Sequence, residues 1–509
     1  MLDRPPIIAE AEPAAARRAF GLTLAVAGGL GLLGALHYAW LGLTLSHYDA
    51  RAHLVVARRI LDSLTPGWRQ IGAVWLPLPH LIQAIPVQID WCYRTGASAT
   101  AVSVVALAWG LAACGRLIVR RTGSLPAALA APLLVLANPN VLYLQSTPMT
   151  EALLFGLSLI ALDTVDAWTT DPSPRRARRA GTWIVLLMLT RYEGWFIGGS
   201  LVALGALAAR RYGARRALAL VPWAAGAVIG FLILSKATVG AWFVSSGFFV
   251  ADNPVKGRPL AVLDQMITTT TALGGPAILW AGVAGVAACL WRTRGRGPAA
   301  ILPVALLAAG LLPFLAFYEG HPLRVRYMVP LVVGAAVLAA HALSVLPRRA
   351  AAAAAAVLVA LVAWQRPPLS SEAPMLREAQ WEAPYRHGRE AVSAALAAQW
   401  DGTPILASMG SLAHYMQDAS AIGLDIRDFV HEGNADLWDA AVLAPRRHVR
   451  WVLIEERAEG GDVLAARQRD DATFLDGFDR VAEGGGVVLY RRRGPPAPVR
   501  GDARSGSGS

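Results

Sequence analysis

Runs of roughly 15–22 apolar residues recur along about the first 365 of 509 residues, and a run of ~20 is what a helix needs to cross a hydrocarbon core ~30 Å thick. They include 21–45, 125–137, 217–235, 271–291, 298–317 and 328–346. One such run at the N-terminus would suit a signal peptide; recurrence means a bundle of spans. The fold class this implies is an α-helical polytopic membrane protein. Composition agrees: 55% of residues are hydrophobic and 16% charged, against ~45–50% and ~25% for soluble domains.

The formal net charge is +12, and Lys236 and Lys256 are the only lysines. Heavy use of Ala, Gly and Arg resembles the output of a GC-rich, bacterial-type genome. No basic stripe interleaved with aromatics is present, so the charge gives no support to nucleic-acid binding. Cys92, Cys114 and Cys289 lie in apolar surroundings with no CxxC; they read as small buried hydrophobes, not as a disulfide framework or a zinc site.

Arginine clusters set the expected topology, because cytoplasmic loops are enriched in Arg and Lys. The clusters are Arg17–Arg18, Arg116/Arg120/Arg121, Arg175/Arg176/Arg178/Arg179, Arg210/Arg211/Arg215/Arg216, Arg292/Arg294/Arg296 and Arg348–Arg349. With all six inside, about eleven spans follow, near 19–45, 99–119, 124–142, 152–168, 181–192, 195–209, 217–235, 269–291, 298–317, 328–346 and 350–365. Residues 1–18 are then cytoplasmic, and 19–367 form the membrane module of a multi-pass plasma (inner) membrane protein. Residues 46–98 become a long external loop with interfacial helices, including the Pro-broken WLPLPHLIQAIPV (75–87). Trp242, Phe243, Phe248 and Phe249 read as an interfacial aromatic belt.

From about 368 the charge rises and the apolar runs shorten. HGREAVSAALAAQW (387–400) reads as an amphipathic helix, and PILAS (404–408), WVLIEE (451–456) and GVVLYRR (486–492) as strands. The alternation predicts a small extracytoplasmic α/β domain over 368–493. The Gly-, Ser-, Pro- and Arg-rich tail 494–509 reads as disordered.

Charge at membrane depth is costly and marks function by default. The topology gathers Asp49, Glu151, Arg191, Glu193 and the segment YEGHPLRVRYMVP (318–330) outside. Such carboxylates and arginines suit transfer of a sugar carried on a lipid phosphate. A guanidinium binds phosphate oxygens in a bidentate, charge-assisted way and stabilises the charge that grows on the leaving group. A carboxylate can take the proton of an attacking hydroxyl. Plainer roles compete: Asp49 suits a helix N-cap, as does Glu151 with Thr150. Arg191 suits a snorkelling anchor, and Arg58 and Arg59 suit the polar face of an interfacial helix. His47, Asp49 and His53 form an HxDxxxH that can be read as metal ligands, but the spacing is not a zinc signature; no cofactor is expected, and a divalent metal is the lesser alternative. Asp163 and Asp166 read as solvated at the far end of span four.

The ordered set resembles the membrane-embedded glycosyltransferases with a GT-C fold, particularly bacterial relatives of protein O-mannosyltransferases and of lipid A aminoarabinose transferase. Carrying the resemblance are Asp49 after span one, the amphipathic RAHLVVARRILDS (51–63), WLPLPHL (75–81), Glu151 opening span four, Arg191 in the turn between spans five and six, and Arg326–Tyr327 with Pro330 before span ten. It covers about residues 15–350. Many relatives have an Asp-Glu pair where this chain has Asp49–Ala50, and often lysine where it has Arg191. The resemblance implies an inverting hexosyl- or pentosyltransferase with a polyprenyl-phosphate-linked sugar donor and a lipid, glycan or protein hydroxyl as acceptor. Asp49 would be the general base and Glu151 a second catalytic carboxylate. Arg191, Arg324 and Arg326 would bind the donor phosphate. His53, Arg58, His80, Tyr192, Glu193, His321 and Tyr327 are the further substrate-contact candidates. Two other readings compete: a lipid or polymer transporter or flippase, which would favour repeated halves and broken midplane helices, and a non-catalytic envelope-assembly scaffold.

Overall fold

The computed structural model describes residues 13–244, 253–458 and 461–494. Phe248, Phe249 and most of the tail expected to be disordered therefore lie outside the described residues. The chain divides into two compact units: residues 1–57 with 71–381, and residues 58–70 with 382–509.

The first unit is helical. Its main elements are α1 (Pro13–Trp40), α2 (Tyr48–Arg58, whose last residue passes to the other unit), α3 (Ala97–Thr122), α4 (Leu125–Leu136), α5 (Pro139–Leu144), α6 (Glu151–Thr170), α7 (Pro174–Met188), α8 (Glu193–Ala209) and α9 (Val221–Val239). Then follow α10 (Pro259–Gly274), α11 (Pro276–Arg296), a 3-10 stretch Pro298–Gly310 running into α12 (Leu311–Tyr318), α13 (Val329–Leu343), α14 (Arg348–Gln365) and the short α15 (Pro374–Ala379). Among the described residues, eight helices are long and apolar enough to cross a membrane. Leu32, Leu33, Leu36, Ile229, Ile233 and Val357 are exposed along them, the surface expected where lipid replaces water as the solvent. Trp40 and Trp364 are exposed at helix ends, where amphipathic rings favour the interface.

Two expected spans are corrected. Span three is two helices: α4 ends at Leu136, and Asn138 caps α5 by accepting from the Asn140 and Val141 amides at 3.0 and 3.3 Å. Span eight begins at Pro276 and not at 269. Gly275 sits at φ +78° and Pro276 has no N–H to continue the ladder, so α10 is a separate helix.

Tight helix contacts rest on small residues, the usual device where lipid offers no hydrophobic drive between helices. A Cβ on Gly110 of α3 would lie 2.5 Å from the Gly156 Cα of α6. The core runs through α3, α4, α6 and α13, with Leu111, Ala131, Leu154 and Val337 fully buried.

The second unit carries a five-stranded sheet of β1 (Ile405–Ala407), β2 (Phe429–Val430), β3 (Trp451–Glu455), β4 (Phe478–Gly484) and β5 (Val487–Arg492), in the order β2-β1-β3-β5-β4. β2, β1 and β3 are parallel; β3, β5 and β4 are antiparallel. The expected helix 387–400 is present as Arg386–Gln399. The compact unit starts at Glu382 and not at 368, because α15 belongs to the helical unit: the Met375 amide donates to Asn140 Oδ1 at 2.9 Å. In exchange, 58–70 joins the sheet unit. Asp62 accepts from the Ile426 amide and Arg427 Nε at 3.2 and 2.8 Å, and Gln70 donates to the Gly433 carbonyl at 2.8 Å.

Candidate active site

α6 shows how the sequence polarises the bundle. Glu151 opens it and Asp166 lies fifteen residues on, roughly 22 Å away at 1.5 Å per residue. Asp163 and Asp166 are buried and ion-paired: Arg116 and Arg120 hold Asp163, while Arg120 and Arg121 hold Asp166 at 2.6 and 2.7 Å. The expectation that these aspartates are solvated is thus corrected. α3 returns its arginines to the α6 C-terminus, and the pairing offsets burial.

At the other end of α6 a second set converges. Asp49 is the second residue of α2, and its amide donates to His47 Nδ1 at 3.1 Å. Its carboxylate pairs with Arg326, from the 3-10 turn Val325–Met328 that leads into α13. The Arg326 guanidinium lies 5.3 Å from the Tyr327 ring centroid. Burial pushes the Asp49 pKa up, but Arg326, then His47 and His53, outweigh it and hold the carboxyl at about 2. Glu378 of α15 accepts from the Val325 amide at 2.8 Å and faces His47 Nε2 at 3.8 Å. Burial raises its pKa, and His47 and Arg326 bring it below the usual carboxylate range.

Arg191, in the turn between α7 and α8, contacts Glu151 at 3.0 Å, grips Glu193 through Nε and Nη2 at 3.2 and 2.8 Å, and donates to Thr150 Oγ1 at 3.0 Å. Both carboxylates are buried. The two groups are in electrostatic reach of each other: Arg326 senses Glu151 and Arg191, and His53 senses Asp49, Arg191 and Arg326. His53 Nδ1 and His80 Nε2 are 3.1 Å apart, and Trp75 packs 4.1 Å from the His53 ring. Burial, then His80, holds the His53 pKa well below its ordinary value, so this imidazole is neutral at pH 7.

Tyr192 donates to the Ala73 carbonyl at 3.3 Å and packs against Phe231 and Phe243. Phe243 of the expected aromatic belt therefore packs beside the Arg191 turn, and both it and Trp242 remain exposed. Arg324 is buried with its guanidinium 5.7 Å from Trp381, and the His321 ring is 5.6 Å from Tyr327. Arg58 lies in the second unit, with Asp62 and Asp425 each at 2.9 Å; this pairing replaces the polar-face role read from sequence. Glu378 lies in a segment whose sequence reads as soluble domain, Thr150 reads from sequence only as a helix cap, and His47 only as a metal ligand.

Among the described residues, Glu382, His414 and Glu455 of the second unit are close enough to share a metal ion. Arg389 stands among them instead, ion-paired to Glu382 and donating to Glu455 and His414 at 2.7 Å each. A guanidinium already supplies the positive charge there.

An apolar cavity of about 470 Å³ runs beside the Arg191 turn, walled by Pro77, Leu189, Trp223, Gly226, Gly230 and Phe231. Its two glycines face open space.

No protein-family model and no curated protein matches the chain. Solved structures do, two of ArnT among them. ArnT from Cupriavidus metallidurans bound to undecaprenyl phosphate is 14% identical at TM-score 0.53, and the alignment covers 91% of this chain and 97% of that one. The apo state of the same protein is 16% identical at TM-score 0.55, with the same coverage. The likeness extends through both the helical bundle and the C-terminal domain: the chain is a polytopic membrane protein with the GT-C-type fold of ArnT.

Proposed function

We propose that the protein is an integral-membrane glycosyltransferase. It moves a sugar from a polyprenyl-phosphate donor to an acceptor hydroxyl, with inversion, on the extracytoplasmic side of the plasma membrane. The observation that carries this reading is the buried Asp49–Arg326 pair, set at one end of a bundle whose fold is shared with a protein that binds undecaprenyl phosphate.

A carboxylate held at about 2 is a weak base, but the pair itself supplies the means of activation. The donor phosphate competes for Arg326, with Arg324 as a second guanidinium. Once Arg326 turns to phosphate, the Asp49 pKa rises and its oxygens become available. The acceptor oxygen then attacks the anomeric carbon and its proton passes to Asp49. The bond from that carbon to the phosphate oxygen breaks, and the electron pair leaves on the lipid phosphate, stabilised by Arg326. Arg191 is the weakest of the three proposed phosphate ligands because two carboxylates already share it; its main task is to keep Glu151 and Glu193 in place. The apolar cavity beside residue 189 takes part of the prenyl chain, and the sidedness follows from the arginine-rich opposite end.

A photoreactive polyprenyl phosphate, used with the purified protein in nanodiscs, tests the reading. Labelling of peptides from 185–189 and 222–234, displaced by unlabelled polyprenyl phosphate, is expected. Labelling that is absent there, or is not displaced, contradicts it.

A further inference from the structure

The end of the bundle away from Asp49 has its own cavity, and the transfer reaction makes no use of it. It encloses about 310 Å³ between the C-terminal parts of α3 and α6 and the start of α7. Four arginines line it, Arg116, Arg120, Arg176 and Arg179, against one aspartate, Asp163. Asp163 is already bound by Arg116 and Arg120, and its role is to fix those two guanidinium planes in the cavity wall. Arg120 also reaches Asp166 at 2.6 Å, and its Nε is buried with no hydrogen-bond partner. Arg176 is held over the mouth by the Ala167 carbonyl at 2.8 Å and by Asp171 at 3.2 Å. Arg179 makes no ion pair among the described residues. Even with Asp166 and Asp171 counted, and Arg121 beside them, positive charge exceeds negative.

Structural ion pairing alone does not account for this. A bundle end that needed only to satisfy Asp163 and Asp166 would do so with the α3 arginines. The α7 arginines add charge to a concave, half-enclosed space, and like charges brought together there cost energy until an anion fills it. The forked guanidinium geometry matches phosphate oxygens, and basic pockets between membrane helices are suited to anionic headgroups. We infer that this cavity binds a phosphate group, with Arg116 and Arg120 on its floor and Arg176 and Arg179 closing over it. The phosphate would come either from an anionic phospholipid headgroup of that leaflet or from a free phosphate ester. The inference does not depend on the transferase reading, since the cavity lies at the opposite end of α6 from Glu151.

The test uses the purified full-length protein and reads binding, not transfer. Native mass spectrometry would compare retention of phosphatidylglycerol with that of phosphatidylcholine in the wild type and in the exposed-site double variant R176Q/R179Q. Thermal stabilisation by glycerol 3-phosphate would be measured in parallel. Preferential retention of phosphatidylglycerol, reduced on the order of tenfold in the double variant, supports the lipid headgroup as ligand. Stabilisation by glycerol 3-phosphate that the same variant loses supports a free ester. R116Q serves as a second variant from the cavity floor and should weaken whichever ligand binds. Equal retention of the two lipids with no glycerol 3-phosphate effect, or binding unchanged in both variants, overturns the inference.

Discussion

Arg326 closes on Asp49 in an ion pair whose two side chains are each only 9% exposed. Because Asp49 sits at about 2 when folded, below an unfolded value of ~3.9, its contribution to stability is fully present above the unfolded pKa. It is lost as pH falls through about 2. Asp49 is therefore ionised throughout the neutral range in the free protein. If donor phosphate draws Arg326 away, the bound complex loses the interaction that depresses this pKa. The acid limb of kcat, which reports the complex, should then lie at higher pH than the acid limb of kcat/KM, which reports the free enzyme. Coincident limbs would count against displacement of Asp49 by phosphate.

Arg191 faces two buried carboxylates, so Arg191→Ala should leave both uncompensated and lower stability by roughly 3–5 kcal/mol, the cost of breaking a buried pair from one side. A companion variant with Glu151→Gln and Glu193→Gln added should recover most of that loss. Thermal unfolding in detergent distinguishes the two. Equal melting temperatures for wild type and the single variant would mean that the Arg191 cluster contributes little to stability.

The opposite end of α6 should respond more weakly. The arginines around Asp163 and Asp166 are partly exposed, which lowers the effect below that of a fully buried pair. Asp163→Asn is expected to destabilise by ~1–3 kcal/mol and to leave the donor KM unchanged. A raised KM with unaltered stability would contradict the separation of the two ends.

In the second unit, burial, helped by Glu382 and Asp462, pushes the Glu455 carboxyl up to about 7 against the opposing pull of Arg389. The folded state then holds a proton between the unfolded value of ~4.3 and about 7, so stability falls as pH rises across that window. Hydrogen exchange of β3 peptides in the full-length protein, corrected for intrinsic rates, should show stronger protection at pH 5 than at pH 8. Glu455→Gln should abolish the difference.

Hydrophobic run length was enough to read a bundle of membrane helices, because it is a local signal, although eight helices among the described residues are long enough to span where about eleven were expected. The same holds for β1, β3 and β5, whose apolar residues are contiguous. β4 was missed because only its first residue is buried and its sequence, FDRVAEG, is largely polar, as suits an edge strand. The Gly275–Pro276 break was visible as a dipeptide but lay inside a continuous apolar run. Asp49, Glu151, Arg191 and Arg326 could be singled out as charges at span ends. Their pairing could not, since Arg191 and Glu151 meet only when α7 folds back beside α6. Glu378 gave no signal at all: it acquires its meaning from Val325 and His47, both distant in the chain.

The central claim rests on Asp49, and the direct test is transfer of labelled sugar from a polyprenyl-phosphate donor by purified Asp49→Asn protein. Membrane insertion and expression should match the wild type, and the ArnT-like fold should be retained. Transfer should fall by ~10²–10⁴-fold, the range for loss of a general base. Transfer at the wild-type rate by the folded Asp49→Asn protein would contradict the account.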